Sequence, residues 1–92
     1  MEYRRVHLRI RGLVQGVFFR SCAREQALHL GVRGWVRNLP SGDVEAVASG
    51  SPEAVDAFIA WCQHGPDQAD VSSVAVAPDS SDLVFSTFSV LR

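Results

Sequence analysis

The sequence predicts an α+β fold of the ferredoxin-like βαββαβ kind: an antiparallel sheet, two helices on one face, and a short C-terminal strand. Three observations carry this. Arg5–Arg11 alternates strictly between polar and apolar residues, the period of a half-buried strand. Two stretches with helical period, beginning near Phe19 and Pro52, are separated by two short strand patterns joined by a tight turn. Two further strand patterns close the chain. Right-handed crossovers between such elements put both helices on the same face of one sheet. The first and second strands are then in one sheet without being a hairpin.

In Arg5–Arg11, Val6, Leu8 and Ile10 share one face, and His7 falls on the polar one as a surface residue. Gly12 and Gly16 break the alternation, so 12–17 reads as a loop. Phe19, Ala23, Ala27 and Leu30 then recur at helical spacing, and Gly31 is placed for a left-handed stop. The alanines leave little bulk, so this helix, near Arg20–Leu30, can sit close to a sheet. Val32–Asn38 is a second strand, Leu39–Gly42 a turn, and Asp43–Ala48 a third strand. Ser51-Pro52-Glu53 has the chemistry of a helix start: a capping hydroxyl, proline in the first turn, and an acid near the positive end of the dipole. Val55, Phe58, Ile59 and Cys62 follow on one face of the helix Pro52–Gln63, with Trp61 as a packing residue, and Gly65-Pro66 ends it. Strands around Val71–Ala77 and Phe85–Leu91 flank the polar turn Pro78–Asp82.

At 92 residues the expectation is one domain over 1–92, with a modest core. Apolar residues make up 47% and charged residues 21%, ordinary values for a soluble domain. No run approaches the length of a membrane span and no apolar stretch follows Met1–Arg5, so a cytoplasmic protein without membrane partners is expected. Cys22 and Cys62 lie in separate helical patterns, and Cys22 lacks the Cys-x5-Arg spacing of covalent phosphatases. Both read as buried structural thiols. His7, His29 and His64 are scattered, so no metal site and no cofactor is expected.

Net charge is −1 but unevenly spread. Through residue 38, eight arginines stand against Glu2 and Glu25, a balance of +6, while the remainder carries −7. All nine basic residues are Arg, whose planar fork suits phosphate oxygens. The bland reading of Arg5, Arg9 and Arg11 is a solvated strand face.

The junction before the first helix is the chemically informative stretch. Its glycines free the backbone, so several N–H groups can converge at a helix amino end, which favours an anion. Arg20 stands in the first turn, where the dipole disfavours a cation unless a bound anion offsets it. The GxxxxGK[ST] spacing of a P-loop is missing.

Gly12-Leu13-Val14-Gln15-Gly16-Val17-Phe18-Phe19-Arg20 resembles the acylphosphatase signature G-x-V-Q-G-V-x-F-R. Gly34-Trp35-Val36-Arg37-Asn38 with Gly42-x-Val44-Glu45 resembles that family's second signature, and the likeness runs on through Phe85-x-x-Phe88. The resemblance implies hydrolysis of small-molecule acyl phosphates by direct water attack. It implies a phosphate cradle from the backbone N–H groups of Gln15, Gly16, Val17, Phe18 and Phe19. Arg20 would bind the phosphate oxygens, and Asn38 would hold the water. No metal or organic cofactor belongs to that scheme, inorganic phosphate would inhibit as product, and a monomer is the default. Ser41 stands where relatives commonly carry Asp, and Ser21 where bulkier residues are frequent; neither removes a proposed catalytic group.

Two other readings compete with this one. RNA-recognition modules share the order of elements, but Asp43–Ala48 has no aromatic residue to stack a base and carries two acids, so nucleic acid is not expected as a partner. A similar domain also begins hydrogenase-maturation carbamoyltransferases, as a regulatory or binding piece. A free-standing chain with Arg20 and Asn38 both present favours an enzyme over that role.

Overall fold

The computed structural model describes residues 3–81 and 83–92. The elements are β1 (Arg4–Leu13), α1 (Phe19–Leu30), β2 (Arg33–Asn38), β3 (Val44–Gly50), α2 (Pro52–Cys62), β4 (Asp70–Pro78) and β5 (Phe88–Val90). One sheet holds all five strands in the order β4-β1-β3-β2-β5. Its first four strands pair antiparallel, whereas β5 joins the edge of β2 in parallel. The sheet is therefore mixed at that edge.

Alternation builds the core as expected. Val6, Leu8 and Ile10 are buried under the helices with Val36, Val44, Ala46 and Ala48 from neighbouring strands. From α1 come Phe19, Ala23 and Ala27; from α2 come Val55, Phe58 and Cys62. The alanines of α1 are fully buried, as close approach to the sheet requires. Trp61 packs against Phe19 with ring centroids 5.3 Å apart, and Phe58 lies 5.4 Å from Phe88, so α2 ties α1 to β5 through aromatic contacts.

Helix ends obey their local chemistry. Ser51 Oγ accepts the Ala54 N–H at 3.2 Å. Gly31 stops α1 at φ 78°, and Gly65 N–H bonds the Trp61 carbonyl at 2.8 Å beyond α2.

Several expectations needed adjustment. The loop begins later than the glycine pattern indicates, because β1 continues through Gly12 and Leu13 across a register shift against β4. Gly12 has φ 124°, and a β-carbon there would come within 2.2 Å of the Asp70 carbonyl oxygen. Here glycine permits a bulge in the strand where it was expected to end the strand. The final strand is only three residues, since Phe85 leaves the ladder and lies under the Arg5 guanidinium at 5.2 Å. Cys62 is buried, its thiol pushed up to about 12 by desolvation. Cys22 is only half-buried, on the flank of the α1 apolar stripe. Met1, Glu2 and Asp82, the last residue of the expected polar turn, lie outside the described residues.

The polar face of β1 is ion-paired as well as solvated. Arg9 Nε donates to Asp43 Oδ2 at 2.7 Å, with Arg11 Nε 3.6 Å from the same atom. Glu45 bridges His7 at 2.7 Å and Arg37 at 2.6 Å. The Arg9 hydrogen bond holds the Asp43 carboxyl below its usual range. Burial pushes Glu45 upward, but hydrogen bonds from His7 and Arg37 outweigh it, and the net shift is downward.

Two outcomes follow from this packing and pairing. Phe58→Ala, which empties the centre of the aromatic contacts, is expected to destabilise the fold by about 3–5 kcal/mol, read from urea unfolding at neutral pH. Asp43 and Glu45 both titrate lower when folded than when unfolded. Their contribution is present above the ordinary carboxylate values of about 4 and is lost as pH falls through the lowered folded values. Urea midpoints measured downward from neutral pH should fall in the acid range, and Asp43→Asn with Glu45→Gln should flatten that decline.

Candidate active site

Val14–Phe18 connects β1 to α1, and the side chains of Val14, Gln15 and Val17 hold it in place. Val14 and Val17 are buried in the core. The Gln15 amide nitrogen donates to the Leu39 carbonyl at 2.8 Å and to the Asp43 carbonyl at 2.9 Å, tying the loop to the β2–β3 turn. That turn has its own closure, with Leu39 N–H on the Asp43 carbonyl at 2.8 Å and Ser41 Oγ accepting from Asp43 N–H and Arg9.

The loop also has two left-handed residues, Gly16 at φ 75° and Phe18 at φ 64°. Successive N–H groups of a turn that contains such residues can converge into a concavity for anions. Phe18 is the N-cap of α1, no side chain caps that end, and the first turn contains no acid. The leading N–H groups of the helix are thus left for an anion. A left-handed conformation costs a non-glycine residue roughly 1–2 kcal/mol, so Phe18 is a point of stored strain.

A cavity of about 270 Å³ opens over this helix end, lined by Val14, Gly16, Phe18, Phe19, Arg20, Ser21, Asn38 and Val90. Arg20 is in the first turn of α1, and its Nη1 donates to the Leu91 carbonyl at 3.2 Å, just beyond β5. This contact uses one donor of a five-donor fork. Among the described residues Arg20 is in none of the carboxylate pairs, which engage Arg4, His7, Arg9, Arg11 and Arg37. Asn38 is the last residue of β2. Its Oδ1 is buried and accepts no hydrogen bond from the described residues. A buried amide acceptor in a polar cavity requires a donor, and water is the smallest that fits.

Of the residues singled out from the sequence, Gly16, Phe18, Phe19, Arg20 and Asn38 line this one cavity, although Arg20 and Asn38 come from different elements. The side chains of Gln15 and Val17 do not line it; the first braces the loop and the second anchors it in the core. Sequence reading missed Val14 and Val90 as walls and Leu91 as the carbonyl that holds Arg20. The position of Val14 inside the first signature was the available signal for one wall. Nothing local marks Val90 or Leu91, because only the parallel pairing of β5 with β2 brings them there. No group of three or more His, Cys, Asp or Glu among the described residues is arranged to hold a metal ion.

Comparisons with known proteins agree with the likeness in sequence. A family model described as Acylphosphatase matches residues 6–90. A curated acylphosphatase of Methylococcus capsulatus is 48% identical over 89 residues, covering 97% of each chain. The structure of an acylphosphatase from Coxiella burnetii superposes with a TM-score of 0.90 at 39% identity, covering 97% of this chain and 93% of that one. The acylphosphatase from Bacillus subtilis gives 0.92 at 27% identity, over 99% of this chain and 100% of that one. With two signatures in order, a matching fold and relatives aligned along nearly their whole length, the chain belongs to the acylphosphatase family.

Proposed function

We propose that this chain hydrolyses small-molecule acyl phosphates to a carboxylate and inorganic phosphate by direct attack of water, with Arg20 and Asn38 at the reacting centre. The observation that carries the reading is the meeting in one cavity of an arginine that has no carboxylate partner among the described residues, a helix end without a side-chain cap, and a buried Asn38 Oδ1 that none of the described residues satisfies.

The backbone N–H groups from Gln15 to Phe19 and the Arg20 fork hold the phosphoryl oxygens. They stabilise charge that spreads over the equatorial oxygens as the bond to the carboxylate breaks. Arg20 suits this task because its fork stays charged and can bind two oxygens. Asn38 has no basic pKa and cannot take a proton, so its task is orientation. Its carbonyl oxygen accepts from the water and aligns it with phosphorus. The water oxygen bonds to phosphorus, the bridging P–O bond breaks, and its electron pair leaves with the carboxylate. The water's proton passes to a phosphoryl oxygen. A carboxylate leaves readily, so the step needs no strong general acid.

The same reading makes residues 1–92 one functional unit, working as a cytoplasmic monomer without metal or cofactor. Its basis is that fixed protein donors supply the positive charge at the phosphate. Among the described residues no helix is long and apolar enough to cross a membrane. Turnover of benzoyl phosphate should therefore survive prolonged dialysis against EDTA, with inorganic phosphate a competitive inhibitor. Loss of turnover that Mg2+ or Zn2+ restores would overturn this part.

The two principal residues should differ kinetically. Arg20 contacts the phosphate before and during the reaction. Arg20→Ala should weaken inhibition by phosphate and slow turnover by ~10^3-fold or more. Arg20→Lys should restore little, since a point charge does not replace the fork. Asn38→Ala should leave inhibition by phosphate nearly unchanged while turnover falls roughly 10^2–10^3-fold. A folded Asn38→Ala enzyme that turns over like wild type but binds phosphate poorly would contradict these roles.

A further inference from the structure

The proposed chemistry occupies the polar side of the cavity, at Arg20, Asn38 and the helix end. The rest of the lining includes the apolar residues Val14, Val90 and Phe18, together with Ser21.

Phe18 is the unusual member. Among the described residues it alone has a positive φ without being glycine, and it is 74% exposed. Burial of the ring does little to offset its strain. If the loop needed only the left-handed backbone, glycine would supply it without strain, as Gly16 does two residues earlier. An exposed ring retained at a strained position beside a cavity points to a ligand that uses the ring.

We infer that Phe18 is the specificity-determining residue for the acyl group, receiving the part of the substrate that extends from the phosphate cradle. This rests on the acylphosphatase reading. The cavity then has an anionic-ligand pole and an apolar wall. An acyl phosphate spans both when its acyl group is apolar, and best when it is flat enough to lie on the ring. A methyl group, as in acetyl phosphate, offers the ring little area. The chain therefore selects aromatic acyl phosphates over the smallest ones, by the roughly 10–200-fold range that apolar pocket contacts provide.

The test compares kcat/KM for benzoyl phosphate and acetyl phosphate in wild type, Phe18→Gly and Phe18→Tyr, each checked for folding by circular dichroism. Phe18→Gly keeps the left-handed backbone accessible and removes only the ring. The benzoyl-to-acetyl ratio is expected to fall about tenfold in Phe18→Gly and to stay near the wild-type value in Phe18→Tyr. An unchanged ratio in Phe18→Gly, or an equal fall in Phe18→Tyr, overturns the inference while leaving the hydrolytic reading intact. If wild type hydrolyses neither compound, the hydrolytic reading falls and this one falls with it.

Discussion

Backbone amides can bind a phosphate only if they are held in place before it arrives, and in this chain that holding is done by the side chains of the loop itself. Val14 and Val17 are sunk into the core, and the Gln15 amide grips two carbonyls of the β2–β3 turn. The N–H groups between them have little freedom left to lose. Donors preorganised in this way act without reorganising during the reaction, the condition under which electrostatic stabilisation is largest. The rest of the fold can be understood as support for this clamp. The sheet anchors the valines, the turn offers its carbonyls to Gln15, and α1 extends the row of donors.

Charge is distributed to match. The chain has ample carboxylate, yet in the described structure the acids that meet arginine lie at the sheet and on α2, away from the cavity lining. Asp43 takes Arg9 and Arg11, Glu45 takes Arg37 and His7, and Asp56 takes Arg4. An exposed pair such as Arg4–Asp56 contributes little stability by itself, whereas Asp43 and Glu45 are half-buried. Their larger effect is one of placement. The carboxylates are occupied elsewhere, and Arg20 is held by a neutral carbonyl, Leu91, which orients the guanidinium without neutralising it. A carboxylate in that place would compete with the phosphate for the same fork.

Ferredoxin-like sheets serve many unrelated activities, so the architecture alone says little about chemistry. What separates this chain from a generic member is an uncapped helix end, a strained aromatic at its N-cap, and an amide at the end of β2 whose oxygen has no partner among the described residues. Each departs from the local rule that stabilises a fold: cap the helix, put glycine at positive φ, satisfy buried acceptors. They gather in one cavity, where a bound anion, an acyl group and a water could each satisfy one of them.

The sequence by itself determined the order and kind of the elements, because alternation in Arg5–Arg11, helical spacing from Phe19 and Val55, and the Ser51-Pro52 start are all local signals. It also marked Arg20 and Asn38, through two signatures and through a cation at an otherwise unfavourable helix position. Three features needed the tertiary structure. Gly12 is a strand bulge because Asp70, nearly sixty residues away, approaches its α-carbon. Gln15 reaches across to Leu39 and Asp43, so its side chain serves as a brace and does not line the cavity. The wall at Val90 and the anchor at Leu91 exist because three residues of β5 pair in parallel with β2, a partner and a direction that the strand pattern of Phe85–Leu91 does not specify. Local propensity is written in neighbouring residues, whereas contact between distant segments depends on register and on which sheet edge is open, and these are settled only when the whole core packs.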